Sequence, residues 1–180
     1  MNESAILYLL VGLPGAGKTT KARQLEIEAP ALRFTPDEWM IPLFGSSDPI
    51  ARDTLEGRLI WIAMRALKLN TNVILDFGFW GKDERSSLRW IARQIGAKSQ
   101  VIYLPIDIEA QRTRVQARFA ETPEQTWQMS EEELAKWRAL FDEPDEAELN
   151  GTILPECPHG FASWSAWAAW RWPSLPDEYA

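Results

Sequence analysis

Gly12-Leu13-Pro14-Gly15-Ala16-Gly17-Lys18-Thr19 fills every fixed position of the pattern G-x-x-x-x-G-K-[ST]. The apolar run Ile6-Leu7-Tyr8-Leu9-Leu10-Val11 leads into it, and Thr20-Lys21-Ala22-Arg23-Gln24-Leu25 leads out. A buried strand, a glycine-rich turn and a helix start in that order are the context the pattern needs. Glycines let backbone N–H groups curl around an anion with no Cβ in the way. The helix end behind them adds unpaired donors and partial positive charge. The reading is a nucleoside triphosphate, ATP, cradled by Gly12, Pro14, Gly15, Ala16, Gly17, Lys18, Thr19 and Thr20. In such loops the lysine reaches the β- and γ-phosphates and the threonine hydroxyl ligates Mg²⁺. A glycine turn with a structural role is the plain alternative; it does not require all the fixed positions to be filled.

Outward from the loop the chain alternates strands and helices. Expected strands are Ile6–Val11, Leu32–Phe34, Val73–Asp76 and Gln100–Leu104, with a weak last one at Asn150–Leu154. Expected helices run from about Lys18 to Ala29, Pro49 to Leu69, Lys82 to Ile95, Glu109 to Ala120 and Ser130 to Phe141. A tryptophan-rich C-terminal helix covers about 161–172, with Trp164, Trp167 and Trp170 on one stripe that packs as core. Repeated strand–helix–strand units give a three-layer α/β fold with a mostly parallel sheet. Ligands of such sheets bind beyond the carboxyl ends of the strands, which draws attention to Asp37, Asp76 and Asp107.

The chain has 180 residues, which suits one domain spanning 1–180. Its net charge of −7 disfavours nucleic acid as a partner, because phosphate contacts supply most non-specific affinity. A small-molecule acceptor is therefore favoured. The single cysteine, Cys157, forms no internal disulfide, and no apolar run is long enough to span a bilayer. With no signal-peptide pattern at the first residues, the expectation is a cytoplasmic protein.

Two carboxylates carry the chemistry in this reading. Asp76 closes an apolar run in the manner of an acidic residue that holds Mg²⁺, against the plainer role of starting a loop. Asp37 follows the second strand, where it can take a proton from an attacking hydroxyl, although it also suits a helix cap. Arg114 and Arg118 share a helix face and can neutralise a transferring phosphoryl group, while Arg112 is offset from them. Arg52, Arg58 and Arg85 are further acceptor-side candidates, each with a surface alternative.

With these residues in place, the chain resembles the small P-loop kinases of the AAA-ATPase-like group: zeta toxins, chloramphenicol phosphotransferase and polynucleotide 5′-hydroxyl kinases. The resemblance rests on residues 12–20, 35–39, 72–85 and 101–118 and covers about the first 120 residues. It implies a nucleotide-kinase-like core with Asp37 as the base. It also implies that Arg114 and Arg118 open a mobile lid, about 114–130, over ATP. The expected activity is ATP-dependent phosphorylation of a hydroxyl on a small molecule such as a nucleoside, sugar nucleotide or antibiotic. The alternatives are a polynucleotide 5′-hydroxyl kinase and a regulatory ATPase without an acceptor. The N-K-x-D pattern of guanine-reading switches is not evident in the sequence.

Overall fold

Apolar alternation on a single strand sets the layers of this protein. In the computed structural model, which describes residues 4–45 and 48–176, β1 (Ile6–Val11) sends Leu7, Leu9 and Val11 to one face and Tyr8 and Leu10 to the other. All five are buried, as expected for a parallel strand covered on both sides. The remaining strands are β2 (Ala31–Phe34), β3 (Asn72–Gly78) and β4 (Lys98–Tyr103), and the sheet order is β2-β3-β1-β4 with every pairing parallel.

One face of the sheet packs on α1 (Lys18–Glu28) through Ala22 and Leu25. The other face carries the larger core. It is built from α3 (Pro49–Lys68), α4 (Lys82–Gln94) and α8 (Trp164–Arg171), with Leu59, Met64, Leu88, Ile91, Trp164 and Trp167 against Leu9 and Leu75. Each fully buried leucine of this kind contributes roughly 1.5–3 kcal/mol. The other helices are α2 (Pro36–Phe44), α5 (Ile108–Glu121), α6 (Glu131–Leu140) and the short α7 (Glu146–Leu149). Ser130 opens α6 with the expected reciprocal cap, its hydroxyl accepting from the Glu133 N–H.

Three sequence expectations need correction. Residues 150–154 form no strand, and the sheet has four strands among the described residues. The acidic stretch before them instead holds α7, capped by Asp145. β3 runs two residues past Asp76. The tryptophan stripe is also only partly core: Trp164 and Trp167 are buried, but Trp170 is 64% exposed and Trp172, just past the helix, is fully buried. The helix runs from Trp164 to Arg171 rather than over 161–172, so Trp172 lies just outside it and turns into the core beside Glu56 and Gly57 of α3. No helix among the described residues is long and apolar enough to cross a membrane.

Candidate functional site

The glycine loop closes where β1 ends. Gly12, Gly15 and Gly17 have φ of 154°, 80° and 92°, conformations that side-chain-bearing residues rarely adopt. A Cβ on Gly12 would lie 2.8 Å from the Leu104 carbonyl oxygen, so glycine is required there on steric grounds too. Lys18 begins α1 and folds beneath the loop, donating to the Leu13 carbonyl at 3.0 Å. Burial pushes its ammonium below the ordinary lysine pKa, against the opposing pull of Asp76 and Asp37.

The loop is completed by the end of β3. Between the pairs Leu9–Leu75 and Val11–Gly78, β1 advances two residues while β3 advances three. This bulge sets Asp76 at the loop instead of continuing the ladder, a common device next to sites. Gly78 has φ 99° and its carbonyl accepts from the Gly12 N–H at 3.2 Å. A Cβ there would come within 3.3 Å of Trp80 Nε1, so the positive φ and the close indole both favour glycine at 78. Sequence reasoning missed Gly78; the signal was a glycine two residues after the strand's aspartate.

Asp76 is buried, which pushes its carboxyl up, while Lys18 and a hydrogen bond from Thr19 pull it down. Phe34 pairs with Leu75, so Thr35 falls level with Asp76, and its hydroxyl lies 3.5 Å from Asp76 Oδ2. Thr35 was also missed. Thr19 and Asp76 together offer a hydroxyl and a carboxylate, hard oxygen donors of the kind Mg²⁺ accepts alongside phosphate and water. No cluster of three or more His, Cys, Asp or Glu residues suited to a metal occurs among the described residues. The donor set therefore fits a metal that arrives with a nucleotide, not a cage built by the protein.

Asp37 is not a helix cap. Thr35 occupies the N-cap of α2 and Asp37 lies in the first turn, with its Oδ1 accepting from Arg52 Nη1 at 2.7 Å. Desolvation works to raise its pKa, but the Arg52 charge and hydrogen bond, with Lys18 and Arg118, bring it below the ordinary carboxylate value. Lys18 thus feels two carboxylates delivered by different strand ends. Asp107, in contrast, caps α5 by accepting from the Ala110 N–H at 2.8 Å.

The arginines divide by role. Arg114 Nη1 donates to the Gly15 carbonyl at 3.3 Å, joining α5 to the loop. Arg118, one turn further and exposed, acts electrostatically on both Lys18 and Asp37. Arg112 is taken up by Glu109 and by Glu131 of α6. Arg58 packs over the Trp61 ring at 5.8 Å from its centroid. Arg85 fits neither an acceptor-side nor a surface role: it is fully buried, clamps Glu148 at 2.8 and 3.0 Å, and donates to the carbonyls of Phe79, Trp80 and Asp142. A cavity of about 400 Å³ bordered by Tyr103, Ile106, Asp107 and Arg114 adjoins this side of the loop.

Comparison with known proteins agrees with the fold that carries this site. A family model described as an AAA domain matches residues 7–144. Kti12 from Chaetomium thermophilum, solved with ADP-AlF3, superposes with a TM-score of 0.63 at 19% identity, covering 94% of this chain and 99% of that one. A candidate kinase from Chloroflexus aurantiacus gives a TM-score of 0.64 at 18% identity over 97% and 100% of the two chains. A chain of the Pnkp1/Rnl/Hen1 RNA repair complex gives 0.56 at 23% identity, covering 88% of this chain and 53% of that one. These likenesses show a P-loop kinase fold.

Proposed function

Because the chain belongs to that AAA domain family, we propose that it is an ATP-dependent phosphotransferase acting on a hydroxyl of a small molecule. One observation carries the reading: Lys18, half-buried beneath a complete phosphate loop and hydrogen-bonded to it, lies within electrostatic reach of two carboxylates, Asp76 and Asp37. A loop that only bound nucleotide would account for Asp76. It would leave Asp37, held by Arg52 from α3, without a purpose.

In the proposed reaction the loop N–H groups and Lys18 hold the β- and γ-phosphates. The acceptor oxygen forms a bond to the γ-phosphorus as the bond from that phosphorus to the β,γ-bridging oxygen breaks, releasing ADP. The acceptor proton passes to the Asp37 carboxylate. Arg52 occupies one oxygen of that carboxylate, and the other is available to the acceptor hydroxyl. Held below the ordinary carboxylate pKa, Asp37 is ionised at neutral pH and accepts the proton late, once bond formation has acidified the hydroxyl. Mg²⁺ bound through Thr19 and Asp76 would offset charge on the phosphates. Arg114 and Arg118 would form part of a lid over the nucleotide, a reading supported by the Arg114 contact to the loop, and the cavity beside Arg114 would take the nucleoside part of ATP.

The test is transfer of label from γ-labelled ATP across a panel of nucleosides, sugar nucleotides and aminoglycoside-like alcohols. Asp37→Asn should abolish transfer and leave the affinity for a fluorescent ATP analogue within about twofold. Near-normal transfer by that variant removes Asp37 as the base. A second reading, a regulatory ATPase without an acceptor, draws on the end-to-end likeness to Kti12. It predicts ATP hydrolysis with nothing phosphorylated across the panel. A polynucleotide 5′-hydroxyl kinase would show salt-sensitive oligonucleotide binding, which the net charge of −7 opposes.

A further inference from the structure

The carboxylate assigned above as the base is tied to the C-terminal segment by an unbroken chain of hydrogen bonds. Arg52 Nη1 donates to Asp37 at 2.7 Å, and Arg52 Nε donates to Glu56 Oε1 at 2.9 Å. The second Glu56 oxygen accepts from the indole Nε1 of Trp172 at 3.1 Å. Glu56 and Trp172 are both buried, so neither can exchange its partner freely for water. Arginine and glutamate four apart on α3 present their side chains to the same face. The tryptophan comes from the other end of the sequence.

A separate observation shows that α3 is shaped for that segment. Gly57 sits inside a 20-residue helix, where glycine costs roughly 1 kcal/mol relative to alanine. A Cβ at this position would lie 2.3 Å from Ser174 Oγ and 2.9 Å from the Leu175 nitrogen. Glycine admits the chain at 172–175, and Ser174 Oγ fastens it by donating to the Thr54 carbonyl at 2.6 Å. Arg171 adds ion pairs to Asp53 of α3 and Glu84 of α4. A tail that only covered apolar surface would need neither the glycine nor the polar clamp.

Resting on the reading of Asp37 as the acceptor-side base, we propose that the segment Arg171–Leu175 is a positioning device for it, acting through Trp172, Glu56 and Arg52. Trp172 fixes the Glu56 carboxylate, Glu56 fixes the Arg52 guanidinium, and Arg52 holds Asp37 in the rotamer from which it meets an acceptor hydroxyl. None of the three touches the reacting atoms. The charged groups facing Glu56 are Arg52 from its own helix, Arg171 from α8 and Glu84 from α4; those facing Asp37 are Arg52, Lys18, Arg118 and the Asp76 carboxylate at the end of β3.

The experiment uses the full chain, with the carboxyl carbons of its aspartates labelled for NMR titration and the Asp37 signal assigned by its loss in Asp37→Asn. Arg52→Met should raise the Asp37 pKa towards the ordinary carboxylate value. Glu56→Gln is read by rate at neutral pH, where Glu56 is ionised. Trp172→Phe, which removes a hydrogen bond but no charge, should raise the Asp37 pKa by less than Arg52→Met does. Affinity for Mg·ATP, read with a fluorescent analogue, should stay within about twofold in the last two. Label transfer should fall about 10- to 100-fold in Glu56→Gln and about 2- to 10-fold in Trp172→Phe, the worth of a charged and a neutral hydrogen bond. The Trp172→Phe shift is decisive, because that change removes a hydrogen bond and no charge, so coupling by charge alone would leave the Asp37 pKa where it is. An unchanged or lowered value overturns the proposal. Phenylalanine keeps most of the ring volume at 172; if that variant does not fold, Glu56→Gln with an intact tail tests the same link at neutral pH, where Glu56 is ionised. Label transfer by Glu56→Gln within about twofold of the unaltered chain then overturns the proposal. Should Asp37→Asn transfer normally while these titrations shift as stated, the base assignment fails and the positioning chain stands.

Discussion

The phosphate-loop side and the proposed acceptor side of the site are built in opposite ways. The phosphate loop is local: eight consecutive residues, glycine conformations and one helix end make most of the binding surface from backbone. The acceptor side is assembled from side chains far apart in sequence, with Asp37, Arg52, Glu56 and Trp172 meeting only because α2, α3 and the tail pack together. A backbone-built site survives many side-chain changes but no change of its glycines or its lysine. A side-chain-built site can be weakened one bond at a time. The two halves should therefore fail in different ways.

The largest effect is expected on the donor side. Lys18→Met should lower label transfer from ATP by about 10³–10⁵-fold, the range a cation contributes when it offsets charge on a transferring phosphoryl group. Steady-state rates, together with titration of a fluorescent ATP analogue, check it; a fall under tenfold would mean Lys18 does not reach the phosphates. Asp37→Asn comes next, at about 10²–10⁴-fold in transfer, the range for a positioned acid or base. Its nucleotide affinity should be unaffected, and that separation between rate and affinity is what the comparison of the two halves demands. Equal losses of both would collapse it.

A third expected effect concerns an arginine that belongs to neither half. Arg85→Met leaves Glu148 as a buried charge without its partner and frees three carbonyl groups, so it should cost about 3–5 kcal/mol of unfolding free energy in urea titrations. At temperatures where the variant remains folded, ATP affinity should match that of the unaltered chain. A selective loss of transfer without a loss of stability would return Arg85 to the acceptor side.

What the sequence made legible follows from the same contrast. Strand alternation, the loop and the Ser130 cap are encoded within a few residues, and each was found where expected. Asp37 and Asp76 were readable because parallel sheets put their ligands at strand ends, although the bulge that aims Asp76 lies in the pairing of two strands and left no local sign. Arg85 was misread because an isolated arginine on a helix looks solvated, and its partner Glu148 is 63 residues away. Asn150–Leu154 offers only the adjacent apolar pair Ile153-Leu154, and the segment follows α7 as turn and loop. Gly57 gives no sign of its role within its own helix; the reason for it lies in the tail packed against it, more than 110 residues away.

The smallest expected effect tests the acceptor side through stability. Burial raises the Glu56 carboxyl from its ordinary 4.5 to about 6, against the opposing effects of Arg52, the Trp172 hydrogen bond and Arg171. Between those values the folded chain holds a proton that the unfolded chain has released. Stability contributed by this group is therefore lost as pH rises through the window, and the full cost of the buried charge is present above about 6. A shift of this size corresponds to about 2 kcal/mol. Glu56→Gln has no proton to lose, so its unfolding free energy relative to the unaltered chain should rise by about that amount between pH 4.5 and 7.5. Urea titrations of both chains across the range measure the difference. A difference that stays flat with pH would mean that Glu56 is ionised throughout, held by Arg52 as firmly as an exposed pair and without the strain of burial. A slope of the expected sign would show that the acceptor side keeps a costly charge in place, which a purely structural contact between tail and helix has no reason to do.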